Sequence, residues 1–169
     1  MSDSLEFTEP PHLTADFDGE PGHRTFYLQV GDPPTHLSLL LEKGQVQALA
    51  DAFGELLGRL DAAPDREWDR ETMRLRVPIE PAWRIGTLSV GVDPDDRRFL
   101  LEVSELLDED DAREPSTVRI WASEEQARRL AAHAAWTVRQ GRPSCPLCGL
   151  PMDPEGHACP ATNGHRRRD

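Results

Sequence analysis

The sequence predicts an α+β fold: a mainly antiparallel sheet with two helices packed on it over residues 1–140, followed by a small cysteine-rich tail over residues 141–169. Two periodicities and one cluster lead to it. Residues such as Phe26, Leu28 and Val30 place apolar side chains at alternate positions between Gly, Pro and Asp turns, the pattern of a half-buried strand. Two other stretches space them three and four residues apart, as a helix with one buried stripe does. All three cysteines lie in the tail, at positions 145, 148 and 159, and leave none for the body.

Leu5 and Phe7 suit a short edge strand, which Pro10-Pro11 stops. Leu13, Ala15 and Phe17 alternate with Thr14 and Asp16, and Asp18-Gly19 with Pro21-Gly22 turns the chain. Phe26, Leu28 and Val30, a turn at Gly31-Asp32-Pro33-Pro34, then Leu37, Leu39 and Leu41 read as an antiparallel hairpin. A helix is expected from about Gln45 to about Asp61, with Val46, Leu49, Ala50, Phe53, Leu56, Leu57 and Leu60 along one stripe. It is expected to be the more buried of the two. Residues 62–71, with Pro64, form a charged loop whose Trp68 is expected to lie over the edge of the core.

Met73, Leu75, Val77 and Ile79 alternate with Arg74 and Arg76 and read as a further strand, broken at Pro78. From Trp83 to Val92 the apolar phase slips around Gly86, as in a bulged strand, and Asp93-Pro94-Asp95-Asp96 turns into a return strand with Phe99, Leu101 and Val103. The acidic loop 108–115 lacks the ligand alternation of a calcium loop and leads to a strand holding Val118 and Ile120. Ser123 with Gln126 is a capping box that opens an alanine-rich helix striped by Ala127, Leu130, Ala131, Ala134 and Val138. Aligned without a gap, LEKGQVQALADAF and ASEEQARRLAAHA match Gln45 with Gln126, Leu49 with Leu130 and Ala50 with Ala131. The match reads either as two strand-strand-helix halves, 1–62 and 72–140, or as two unrelated amphipathic helices sharing a period.

With a net charge of −12 and a single lysine, Lys43, the chain lacks the clustered cations that neutralise nucleic-acid phosphates. Arg166, Arg167 and Arg168, in a basic end expected to be disordered, would give only weak, salt-sensitive attachment. No apolar run approaches the ~18 residues of a membrane span, and the acidic opening MSDSLEF lacks the basic-then-apolar order of a signal peptide. A cytoplasmic protein is expected, in a compartment that keeps thiols reduced.

Cys145 and Cys148 flank Pro146-Leu147 with Gly149 behind them, a turn that aims two thiolates at one face of a tetrahedral ion. His157 and Cys159 can supply the other face, because GLPMDPEG holds two prolines and two glycines and can fold back. Three thiolates and an imidazole suit Zn²⁺ in a closed, structural site with no open position for water. His165 is the alternative fourth ligand. A thioredoxin-like redox pair would precede a helix N-terminus, whereas Cys145 follows a helix; a disulfide would leave one thiol over. The tail is therefore read as zinc-ribbon-like.

At GEPGHRTFYLQV, LLLEKGQV and CPLCGLPMDPEGHACPATNG the chain resembles an uncharacterised family of actinobacterial proteins, classed as a domain of unknown function. Gly19, Pro21, Gly22, Arg24, Phe26, Leu28 and Gln29, then Leu40, Glu42, Lys43 and Gln45, carry the likeness together with the tail. It spans most of the chain and implies a shared architecture, but it brings no catalytic residue.

The residues bring none either: His12, His23, His36 and His133 are scattered, and there is no glycine-rich phosphate loop or Gly-x-Ser-x-Gly nucleophile turn. His23-Arg24 after Gly22 is the best candidate for holding an anion. The reading that follows is a non-catalytic, zinc-containing interaction or adaptor protein, with a protein partner meeting the tail and the neighbouring face of His133 and Trp136. The alternative is an enzyme or small-ligand-binding protein that uses the body, with the zinc purely structural. Leu147, Leu150 and Met152 either face a partner or dock the tail onto the body.

Overall fold

The computed structural model describes residues 3–32, 35–153 and 155–162. Pro33 and Pro34 of the expected hairpin turn lie outside the described residues, as do His165 and the arginines at 166–168. The strands are β1 (Ser4–Thr8), β2 (His12–Asp18), β3 (Thr25–Gly31), β4 (Leu37–Leu41), β5 (Pro81–Asp93), β6 (Arg98–Glu105) and β7 (Thr117–Ala122). They form one sheet in the order β1-β7-β6-β5-β4-β3-β2, antiparallel except for β1 on β7 and β4 on β5. The helices are α1 (Lys43–Arg59) and α2 (Glu124–Arg139), which pack on each other. The α+β, mainly antiparallel fold is thus observed.

The sheet cannot be flat. Strands about 4.8 Å apart would put β1 and β2, at its two ends, about 29 Å from each other. Only Glu9, Pro10 and Pro11 join them, and the four Cα steps from Thr8 to His12 reach at most ~15 Å. The sheet therefore curls until its ends meet, and β1 and β2 act as one strand kinked at the two prolines. Glu9 makes the kink with φ +46°, and its N–H donates to the Trp121 carbonyl at 2.7 Å.

The same device occurs in β5. Its first residues lie parallel to β4, at Ser38↔Pro81 and Leu40↔Arg84, and its later ones antiparallel to β6, with a register shift between Ile85 and Thr87. Gly86 sits at the shift, where a Cβ would fall 2.9 Å from Leu106 Cα. The chain is thus built twice as a kinked strand, two return strands and a helix. Each helix opens with a capping box whose glutamine, Gln45 or Gln126, accepts from its own N-cap N–H. Gln45 then donates to the Ile85 carbonyl at 3.0 Å and Gln126 to the Pro10 carbonyl at 2.6 Å, so each helix start is tied to the kink of the other half. Each repeated unit has three strands, one more than the sequence pattern suggests.

Two expectations are corrected. Residues 73–79 are not a strand: a 3-10 helix (Arg70–Met73) and an irregular segment to Pro78 cross the second face of β2 and β3. Side chains take the place of a ladder there. Thr14 Oγ1 donates to the Met73 carbonyl at 2.5 Å, and Gln29 both accepts from the Arg76 N–H at 2.7 Å and donates to the Arg76 carbonyl at 2.9 Å. Nor is α1 the more buried helix. It buries Val46, Leu49, Ala50, Phe53 and Leu57, whereas α2 buries Ala127, Leu130, Ala131, Ala132, His133, Ala134 and Thr137. Its alanines let α2 close against β2, where Thr137 Oγ1 donates to the edge carbonyl of Ala15 at 3.3 Å.

Phe53 and Phe99, both fully buried with ring centres 5.9 Å apart, join α1 to β6 in the core. Phe53→Ala should cost about 3–5 kcal/mol in chemical unfolding, while exposed Asp51→Ala should cost little. At the far end of β6, Arg113 grips Glu105 through both terminal nitrogens at 2.6 and 2.7 Å. This guanidinium lowers the Glu105 carboxyl to about 2; burial opposes it and the Ser116 N–H adds to it. A lowered carboxylate contributes stability that is complete above its unfolded value of about 4.3 and is lost as pH falls through the folded one. Glu105→Gln should therefore flatten the acid limb of a stability-against-pH curve between pH ~5 and ~2.

Candidate metal centre

The tail begins where α2 ends, at the C-cap Gln140. Its first bend is closed by its own backbone: the Cys145 N–H donates to the Leu150 carbonyl at 2.7 Å and the Gly149 N–H to the Cys145 carbonyl at 2.8 Å. Gly149 takes φ +73°, open to glycine at little cost, so the chain can turn straight back after Cys148. The Met152 N–H donates to the Pro143 carbonyl at 2.7 Å, and a single bridge joins Ser144 to Pro151. A second bend, from Asp153 to Gly156, returns the chain toward the first, and Arg142 clasps Asp153 at 2.8 Å.

These two bends bring Cys145, Cys148, His157 and Cys159 together, with one ligand atom of each within 4.8 Å of every other. Cys145 Sγ and Cys159 Sγ stand 3.8 Å apart, too far for a disulfide and equal to the ~3.8 Å edge of a tetrahedron with ~2.3 Å metal–sulfur bonds. Cys148 Sγ and His157 Nε2 are 3.1 Å apart. The donor set and its spacing fit a four-coordinate ion such as zinc. The Cys148 N–H, and after it the Leu147 N–H at 3.4 Å, point at Cys145 Sγ and hold its thiol below the ordinary value, which favours the thiolate a metal needs.

The other histidines stay apart. His12 is buried and donates through Nε2 to Gln29 at 2.8 Å; burial, with Arg76 and His36 adding to it, lowers its pKa against that bond. His36 Nε2 donates to the Pro78 carbonyl at 2.9 Å, and His23 is exposed. His133 is fully enclosed: its Nδ1 accepts from Trp68 Nε1 at 3.1 Å and its Nε2 lies 3.3 Å from Asp16. Trp136 stacks between Phe17 and His133 under the Arg70 guanidinium. His133, expected on a partner face, is thus buried and offers no surface there, while Trp136 beside it is half-buried, and Trp68 packs against the pair as the ring over the core edge. What the sequence reading passed over is the Arg142–Asp153 clasp, which two opposite charges flanking the cysteine bend could have signalled.

Fold and site together define an α+β body with a C-terminal Cys3His cluster that could hold a metal ion. The chain belongs to the family described as Protein of unknown function (DUF3090), whose model matches residues 5–159 and so covers both the body and the cluster. No curated protein and no solved structure matches it. Among the described residues no helix is long and apolar enough to cross a membrane.

Cobalt(II) added to metal-free protein should give the thiolate charge-transfer and visible bands of a tetrahedral site at about one equivalent. Cys145→Ser and His157→Ala should each weaken or shift these bands, and acid should release the ion as the thiolates take up protons.

Proposed function

We propose that the tail binds one Zn²⁺ through Cys145, Cys148, His157 and Cys159, and that the protein is a non-catalytic adaptor whose stapled tail meets a protein partner. One observation carries the reading: Leu147 and Leu150, on the cysteine bend, keep 67% and 48% of their surface exposed instead of docking on the body. A bend closed by its own hydrogen bonds and a metal presents such side chains at low ordering cost, as an affinity surface requires. The thiolate site suits a reducing, cytoplasmic setting.

Protein prepared with zinc should carry about one equivalent by elemental analysis, and less than about half would count against the site. Leu147→Ser combined with Leu150→Ser should keep the zinc and lose specific partners in affinity capture from native lysate. The same partner set from wild type and the double variant would move any interaction away from the tail.

A further inference from the structure

A cationic groove lies where the body meets the root of the tail, and the metal cluster does not use it. Arg24 before β3, Lys43 at the start of α1 and Arg142 after α2 line a cavity of about 260 Å³ with Phe26 and Gly141. A second cavity of about 250 Å³ shares Arg24, Phe26 and Lys43 and continues to Arg84. Four separate parts of the chain, the segment before β3, α1, β5 and the segment after α2, thus deliver the only lysine of a chain with net charge −12, together with three arginines, to one place.

The outer two cations are already matched, Arg84 by Glu42 and Arg142 by Asp153. The inner two are not. Among the described residues no carboxylate lies within ion-pair distance of Arg24 or Lys43. Arg24 is nevertheless fixed: one terminal nitrogen donates to the Gln140 carbonyl and its guanidinium lies 4.0 Å over the Phe17 ring, while its Nε is buried without an acceptor. The Lys43 ammonium reaches across to the tail root, where a Cβ on Gly141 would fall 2.6 Å from Nζ. A held guanidinium and an ammonium, both without counter-charge and facing a shared cavity, are what a dianionic tetrahedral group needs.

We propose that this groove binds a small soluble molecule bearing a phosphate group. The phosphate sits between Arg24 and Lys43, and the rest of the molecule lies along Phe26 toward Arg84. The His23-Arg24 segment thereby gains its role through Arg24, while His23 stays outside.

Inorganic phosphate, titrated into the full chain at constant ionic strength and followed by amide NMR, tests this. Saturable shifts are expected at Gly22, Arg24, Lys43 and Gly141. Lys43→Gln, a change at an exposed position, should weaken the affinity at least about fivefold, and Lys43→Arg should restore most of it. Arg76→Gln, beside the separate cavity at His12 and Arg129, should leave it unchanged. Absence of saturable shifts, or shifts that survive Lys43→Gln in a folded protein, would overturn the proposal.

Discussion

Three residues, Glu9, Pro10 and Pro11, must join the two ends of a seven-stranded sheet, and the rest of the body follows from that short link. A flat sheet would leave both end strands with a row of unpaired backbone groups. Here the curl brings β1 and β2 into one kinked strand, so the ladder on β7 and the ladder on β3 are continuations of each other. The edge of β2 that no strand pairs is covered by α2, and the alanines of that helix are what allow it to come close enough, whereas β1, paired only with β7, keeps an exposed edge. A bulky residue at Ala131 or Ala134 would push the helix outward and reopen the edge.

The repeat shows how one solution serves twice. In each half a carbonyl at the kink, Ile85 in one and Pro10 in the other, accepts from the capping glutamine of the partner helix. The glutamine thus does two jobs: it closes its own helix start and locks that helix against the neighbouring unit. This accounts for the Gln45–Gln126 match in physical terms that a shared helical period does not supply. The kinks themselves use different chemistry, two prolines that cannot donate in one case and a glycine with no room for a side chain in the other.

What was legible in the sequence is what depends on neighbours in the chain. Alternation gave away β2, β3, β4, β6 and β7, the slip at Gly86 marked the kink in β5, and Ser123 with Gln126 marked the start of α2. The cluster was legible because thiolates and imidazole at that spacing have few other uses. The segment 73–79 misled because its alternation is real but its backbone partners are side chains: Thr14 and Gln29 sit on the strand face that it crosses. The burial order of the helices was misjudged because stripe hydrophobicity measures side-chain size, whereas burial here is set by how closely the small side chains of α2 approach a strand. Arg24, Lys43 and Arg142 meet only after the fold closes, and no local pattern could have joined them.

The tail has a different physical basis from the body. Of its residues Cys145 alone is buried among those described, so no apolar core holds it and its order rests on a few backbone bonds, the Arg142–Asp153 clasp and the Cys3His cluster. For an element this small, the free energy of metal binding is largely its free energy of folding. The body owes it nothing, since its core cluster is formed without a tail residue. The two meet at the root, through Arg24 on the Gln140 carbonyl and Lys43 against Gly141. Those contacts fix where the tail leaves the body while Leu147 and Leu150 stay free of it. An anion bound between Arg24 and Lys43, as proposed, would therefore act where the tail leaves the body, whereas a metal held by the Cys3His cluster would act on the fold of the tail beyond that point.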